Sequence, residues 1–279
     1  MNILKFIESF TNEGLLNATG SRRDSFGQFG TLGKNLATAA LPFGIGAMVL
    51  GSNKANAASA AFLAETAETP TQALQLALTL EYLEAEYYHT GMQTAGLIPA
   101  EDRAAFAKIL QHEEDHVTFL RNGLGSNAVA KPTFDFTGGM GAAGGGPFNP
   151  FGDYATFLAL AQAFEDTGVR AYKGQAGNLM STPDLLQAAL QIHSVEARHA
   201  SMVRRIRGQK GWIVGNDRGG LPPQAQPVYD GEQNTMQAGF NTASVQGSPA
   251  IPAAAGAESF DEPLTGAQAT SIASLFIVP

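Results

Sequence analysis

Cysteine is missing from this chain of 279 residues. Its absence excludes a disulfide, a thiolate metal ligand and a cysteine nucleophile, so any bound metal ion must be held by oxygen and nitrogen atoms. Charged residues are also scarce, at 15% of the chain, and the formal net charge is −8 without a long basic run. This balance argues against nucleic acid as a partner.

Long apolar runs are scarce as well. A run of 15 residues, Leu36 to Leu50, contains Pro42, and it is too short and too interrupted for a stable membrane span. The run follows Arg22-Arg23 and precedes Ala55-Asn56-Ala57, a small-x-small cleavage pattern. This order is typical of an export signal. We therefore predict that residues 1–57 are a twin-arginine-type signal peptide of a periplasmic or extracellular protein. The alternative is a retained apolar helix packed on the fold or at an oligomer interface.

Four stretches with apolar residues at helical spacing follow the N-terminal segment. Each stripe needs a partner, and we expect an all-α antiparallel four-helix bundle over residues 58–208. The first helix is predicted to start at Thr69-Pro70 and the fourth at Thr182-Pro183, because Thr caps a helix and Pro suits its first turn. A glycine-rich stretch, 124–150, separates the second helix from the third. It has the length of the long crossover loop that one class of four-helix bundle requires.

The C-terminal residues 209–279 contain no catalytic motif. Pro, Gly, Asn and Gln are frequent up to residue 257, and such a composition favours irregular structure. We predict a mostly irregular extension that wraps the bundle or an oligomer partner. It is expected to end in a short helix that starts at Asp261-Glu262-Pro263.

Two Glu-x-x-His pairs stand in the second and fourth predicted helices. Glu113 and His116 form the first pair, and Glu196 and His199 form the second. Residues three apart share one face of a helix, so each pair aims a carboxylate and an imidazole at the same point. Two such helices facing each other would bring together a ligand set for a pair of transition metals.

Two further acids complete the pattern, because Glu81 and Glu165 each lie in the apolar stripe of the helix before a Glu-x-x-His pair. A carboxylate in such a stripe is costly unless it is paired or bound to metal. In a four-helix di-metal site, these two acids bind at the ends and the acids of the pairs bridge the ions. The predicted metal ligands are Glu81, Glu113, His116, Glu165, Glu196 and His199. The alternative is a bundle whose buried acids pair with Arg or Tyr hydroxyls.

Several neighbours of these residues are secondary candidates. Glu84, one turn after the first acid, is an alternative ligand. His193, one turn before the second pair, is a candidate hydrogen-bond donor or extra ligand. Tyr88 and Tyr172 are either core aromatics or partners of metal-bound carboxylates. His112 is expected to lie at the surface or to be satisfied elsewhere.

With these residues the chain resembles the ferritin-like superfamily, and it is similar to the exported bacterial ferritin-like domain proteins related to plant desiccation-related proteins. The resemblance covers about residues 67–207, and the tail Phe260-Asp261-Glu262-Pro263-Leu264-Thr265 is in keeping with it. It implies a ferritin-like bundle that binds two Fe or Mn ions per chain. Carboxylate and imidazole accept both metals, so the sequence does not choose between them.

Three functions are compatible with such a protein. The first is redox chemistry linked to O2 or peroxide, such as ferroxidase, peroxidase or manganese-catalase activity, in a stress response. The second is a non-catalytic structural or stress-protective assembly protein that uses the same bundle. The third, iron storage in a cage, is disfavoured because long extensions at both ends would have to fit the shell. We also expect a homo-oligomer.

Overall fold

The computed structural model describes residues 68–244, 252 and 254–279, so the predicted export signal lies outside the described residues. Four long helices form the fold, and they confirm the predicted all-α bundle. They are α1 (Pro70–Gln93), α2 (Arg103–Leu124), α3 (Tyr154–Gln175) and α4 (Pro183–Ile206). Among the helices of these described ranges, none combines the length and apolar character needed to cross a membrane.

The starts of α1 and α4 lie where the sequence places them. At α1 the Thr69 side chain accepts a hydrogen bond from the Gln72 backbone, the Gln72 side chain bonds back to Thr69, and Pro70 occupies the first turn. At α4 Pro183 again stands in the first turn, but Thr182 does not cap. Its hydroxyl instead donates to the Leu179 carbonyl at 3.1 Å.

The helices pack as two antiparallel hairpins. The pairs α1–α2 and α3–α4 are joined by short connections, and α1 also packs against α3, whereas α2 and α4 pack against each other less closely. The α1–α3 contact is aromatic: Tyr87 stacks on Phe157 with ring centroids 5.0 Å apart, and its hydroxyl donates to the Phe157 carbonyl at 2.8 Å. Helices α1 and α3 therefore pack closely against each other, whereas α2 and α4 pack loosely.

The crossover from α2 to α3 is folded onto the bundle. A 3₁₀ turn at Gly125–Asn127 leads into it, and Phe136 and Phe148 of the crossover are buried in the core. It also pairs with the end of the chain, because the Asp135 backbone N–H donates to the Phe276 carbonyl at 2.7 Å. The long loop is thus ordered by contacts with the core and with the C-terminal tail.

The C-terminal extension is mostly irregular and ends in a short helix, as predicted. It contains a 3₁₀ turn (Pro223–Val228), a two-stranded antiparallel hairpin of β1 (Met236–Gln237) and β2 (Phe240–Asn241), and the short helices α5 (Ala254–Ala257) and α6 (Gly266–Ser274). The terminal helix starts after the predicted Asp261, because Thr265 and Gln268 form a capping box there.

This extension wraps the bundle along α3. All residues of α3 from Phe157 to Tyr172 are buried, which an outer helix of a four-helix bundle does not achieve alone. The Arg170 guanidinium anchors the extension by donating to the carbonyls of Val228, Asp230 and Glu262. As a result α3 is the central helix of the molecule.

Candidate metal centre

The six residues predicted as ligands all point into the interior of the bundle. The four glutamates Glu81, Glu113, Glu165 and Glu196 are completely buried. His199 is buried, and His116 has a side chain that is 12% exposed. Each of the four helices contributes one glutamate because each places it in its inward stripe. The helical spacing therefore positions the whole set.

The ligand atoms form two overlapping groups. Glu81, Glu113, His116 and Glu196 offer one group, in which the ligand atoms all lie within 4.8 Å of one another. Glu113, Glu165, Glu196 and His199 offer the second group, with the same limit. Glu113 and Glu196 are members of both. This sharing is the arrangement expected if two carboxylates bridge a pair of metal ions.

In the first group, the carboxylates converge on one nitrogen of an imidazole ring. His116 Nδ1 lies 3.1 Å from Glu81 Oε2, 3.2 Å from Glu113 Oε2 and 3.1 Å from Glu196 Oε1. One ring nitrogen carries at most one proton, so it cannot donate a full hydrogen bond to three carboxylates at once. A metal ion, in contrast, accepts several oxygen and nitrogen donors together.

The second group has the same geometry. His199 Nδ1 lies 2.8 Å from Glu113 Oε1, 3.3 Å from Glu165 Oε2 and 3.1 Å from Glu196 Oε2. Within the part of the chain that the structure describes, three buried oxygens at this centre receive no well-oriented hydrogen bond: Glu113 Oε1, Glu165 Oε2 and Glu196 Oε1. Buried carboxylate oxygens without a partner are costly. The donor set therefore fits a metal pair.

The carboxylates and imidazoles of the centre act strongly on one another's protonation. Burial acts to lower the pKa of His116, but close contacts with the Glu113 and Glu196 carboxylates outweigh it and raise this pKa to about 12. Burial likewise opposes the charged form of His199, while the charge of Glu165 and the close carboxylate contacts raise the pKa of His199 far above its ordinary value. Burial and the charge of Glu196 raise the pKa of Glu113. The two protonated rings thus supply positive charge that metal ions would replace.

Two buried tyrosines bind the carboxylates of Glu81 and Glu165, each of which belongs to only one of the two ligand groups. The Tyr88 hydroxyl donates to Glu165 Oε1 and the Tyr172 hydroxyl donates to Glu81 Oε1, each at 2.5 Å. Each bond crosses between α1 and α3. These tyrosines are therefore partners of the proposed ligands as well as core aromatics, and the bonds orient one oxygen of each carboxylate away from the centre.

Glu84 is buried beside the six residues, and its place explains a glycine inside α3. Gly168 faces it: a Cβ at Gly168 would lie 3.3 Å from Glu84 Oε1 and 3.5 Å from Glu196 Cγ. A side chain at position 168 would therefore crowd the Glu84 carboxyl group and the aliphatic part of Glu196. Burial, followed by the charge of Glu165, raises the pKa of Glu84 well above its usual range. Glu84 is an additional carboxyl group at the centre.

Two histidines outside the six have different places. His193 Nδ1 lies 3.0 Å from the Val169 carbonyl, a contact within the α3–α4 hairpin. His112, which the sequence places at the surface or satisfied elsewhere, contacts the centre: its Nδ1 lies 2.9 Å from His199 Nε2, and the two rings stack with centroids 5.2 Å apart. No sequence signal identifies this contact, because it depends on how α2 and α4 face each other.

The fold and the site define a class of protein: four-helix bundles whose buried Glu and His side chains, contributed by all four helices, are able to hold metal ions. The sequence model of the ferritin-like domain family matches residues 69–209. The matched range contains all four helices and all six predicted ligands, and the chain belongs to this family. A comparison with curated proteins finds no match.

Proposed function

We propose that this protein binds two Fe or Mn ions and uses them for redox chemistry with O2 or peroxide in protection against stress. The observation that carries the proposal is the pair of overlapping ligand groups, which share Glu113 and Glu196. The unpartnered buried oxygens support it, because metal coordination would satisfy them. The relation to desiccation-related proteins, which supports a protective role, rests on the sequence resemblance.

Each proposed ligand has a definite role. Glu81 and His116 would hold one ion, and Glu165 and His199 would hold the other. The shared glutamates would bridge the two ions. Bound as a pair, Fe or Mn supplies the electrons that reduction of O2 or peroxide requires.

The surrounding residues contribute orientation and exclusion of water. Tyr88 and Tyr172 fix the two non-bridging carboxylates through hydrogen bonds of 2.5 Å. The aromatic rings of Phe106 and Phe157 are fully buried next to Tyr88. Such an apolar wall keeps bulk water away and restricts access to small reactants.

Metal stoichiometry of single-glutamate variants tests this function. Glu113→Ala should disturb both ions because Glu113 is a proposed bridge, and Glu81→Ala should leave partial occupancy because it serves one ion. Glu114→Ala is the matched control, since Glu114 is the exposed neighbour of Glu113 on the same helix. Metal content and peroxide turnover would be measured together. Unchanged metal content in Glu113→Ala would refute the di-metal assignment.

A structural role without catalysis is the alternative function. One observation favours it: Nδ1 of His116 and Nδ1 of His199 each lie within 3.3 Å of three carboxylates, so protonated rings would offset part of the buried negative charge without metal. A bundle held together in this way would act as a stress-protective assembly protein. A fully folded, metal-free protein from the native host, or a metal-loaded protein without reactivity towards O2 or peroxide, would favour this alternative.

Export and assembly extend the proposal. The sequence pattern of residues 1–57 supports export by the twin-arginine route, which carries folded proteins, and cleavage after Ala57. Intact-mass measurement on the native protein decides between a cleaved and a retained segment. We further propose a homo-oligomer, and sedimentation measurements on the mature protein would test it.

A further inference from the structure

The two halves of the centre match at the proposed ligands. In the following, the first position is the ion site of Glu81 and His116, and the second position is the ion site of Glu165 and His199. Both positions share the same bridging glutamates. Both non-bridging carboxylates accept a tyrosine hydroxyl at the same distance of 2.5 Å. The main differences between the positions come from residues next to this matched set.

The first difference is a buried carboxyl group that only one half provides. The repeat places Glu84 in α1 opposite Gly168 in α3, since the helix pair recurs after 84 residues. Glu84 is 2% exposed, and within the described residues it makes no hydrogen bond. Its Oε1 lies next to Gly168, because a Cβ at Gly168 would be 3.3 Å from this oxygen. Gly168 follows Glu165 by one turn of α3. The extra carboxyl group therefore lies on the side of the second position.

The placement of Glu84 is geometric. Glu84 is on the same helix as Glu81, but its Oε1 is directed at Gly168 of α3, the helix that carries Glu165. It therefore acts across the α1–α3 contact.

The second difference is a hydrogen-bond partner that only one imidazole has. His112 Nδ1 lies 2.9 Å from His199 Nε2, at the outer edge of the second position. The repeat places Val195 at the equivalent site in the other half, and valine has no side-chain polar atom. Among the described side chains, none forms a hydrogen bond with Nε2 of His116. The outer nitrogen of His199 therefore has a side-chain hydrogen-bond partner, whereas the outer nitrogen of His116 has none among the described side chains.

The two imidazoles also differ in exposure. The His116 side chain is 12% exposed and the His199 side chain is 6% exposed. The His116 ring, whose outer nitrogen has no partner among the described side chains, is the more exposed of the two. All three differences, in charge, orientation and access, point in the same direction.

We propose that the two ion positions are unequal: the second position, with Glu84 and His112, binds the tightly held ion, and the first position binds an exchangeable ion. This inference rests on the proposed di-metal function. An additional carboxylate strengthens a site for a hard or borderline divalent ion because ligand charge tunes affinity. A hydrogen bond to the outer nitrogen of a ligating imidazole fixes its tautomer and orientation, leaving Nδ1 free for the metal. Glu84 thus adds a buried carboxyl group beside the second position, and His112 is a positioning residue.

Titration of the metal-free full chain with Mn2+ tests the inequality. Binding is followed by calorimetry and by the EPR signal of free Mn2+, and neither readout depends on catalytic activity. We expect two steps whose dissociation constants differ by about tenfold or more, the range that outer partners of metal ligands control. Glu165→Gln should remove the tight step, and Glu81→Gln should remove the weak one.

Two variants address the residues that cause the difference. Glu84→Gln keeps the size and removes the charge, and His112→Val installs the residue that the other half has. Each should weaken the tight step about tenfold, while the weak step changes by roughly twofold or less. Glu86→Gln is the control, since Glu86 lies on the same helix, is partly exposed and pairs with Lys131. It should titrate like the parent protein.

The outcomes separate this inference from the proposed function. A parent protein that binds no Mn2+, or a single ion, overturns the di-metal function itself. A parent protein that binds two ions in one indistinguishable step overturns only the inequality. Loss of the tight step in Glu81→Gln would reverse the assignment and also overturn the inference. Parent-like titration of both Glu84→Gln and His112→Val would show that these two residues do not cause it.

Discussion

Replacing Arg170 by Met is predicted to loosen the C-terminal extension and to destabilise the whole bundle. Arg170 is 1% exposed. Its Nε lies 2.7 Å from the Glu232 carboxylate and donates to the Glu262 carbonyl at 2.8 Å, and its Nη2 donates to the Asp230 carbonyl at 2.8 Å. Methionine replaces the apolar stem of the arginine with one of similar length but removes every side-chain donor. The buried Glu232 carboxylate and the carbonyl groups then lose their partner.

The magnitude follows from the burial of this ion pair. Removing one partner of a buried pair costs about 3–5 kcal/mol of unfolding free energy, because the other charge is left without compensation. Part of this cost is relieved if Glu232 takes up a proton, since burial already raises its pKa to about 7 against the effect of Arg170. For a domain of this size, each kcal/mol corresponds to roughly 2–4 °C in the thermal midpoint. We therefore expect Arg170→Met to lower the midpoint by roughly 6–20 °C, towards the lower end of this range if Glu232 takes up a proton.

Thermal unfolding of the protein without added metal, monitored by circular dichroism, measures this loss of stability. Limited proteolysis shows whether the C-terminal extension is released before the bundle unfolds. Lys210→Met is the matched control, because Lys210 pairs with Glu258 at the surface, where ion pairs contribute about 0–1 kcal/mol. Arg170→Met combined with Glu232→Gln should recover part of the loss, since it no longer leaves a buried charge. A midpoint for Arg170→Met within about 2 °C of the parent would refute the reasoning that this pair anchors the extension.

Two further predictions concern packing and protons. Gly174→Ala should lose about 1–3 kcal/mol in chemical denaturation, because a Cβ there would overlap the Leu264 carbonyl. Gly123→Ala, in a helical site with open space around it, should gain about 0.5–1 kcal/mol, and equal effects of the two changes would contradict the packing argument. Burial raises the pKa of Glu165 to about 7 in the metal-free protein, so its carboxyl group is protonated below that pH and ionised above it. A metal ion must displace this proton below pH 7, and Mn2+ affinity should fall as the pH is lowered from about 8 to 6. Calorimetry in two buffers of different ionisation enthalpy counts the released protons, and a constant affinity without proton release across this range would contradict a ligand set that is protonated before metal binds.

The helices and the inward faces of the bundle were predictable from sequence because they depend on neighbours along the chain. Thr69-Pro70 is a start signal of a few residues, and the structure places the start of α1 there. The three-residue spacing of Glu113 and His116 places both on one face of any α-helix. The recurrence of this spacing indicated that two helix pairs face each other. The long crossover was predictable for the same reason, since a glycine-rich stretch interrupts the helical periodicity.

Contacts between helices were decided only by the tertiary structure. His112 follows no periodic pattern, and it touches His199 because α2 and α4 have a particular rotation and separation. Glu84 reaches α3 because Gly168 leaves space for its carboxyl group on that helix. In the same way, the composition of residues 209–279 indicated irregular structure, but it did not reveal that Arg170 binds three of their carbonyl groups. Helical periodicity specifies which face of a helix is buried, whereas the partner of each buried side chain depends on how helices distant in sequence are packed together.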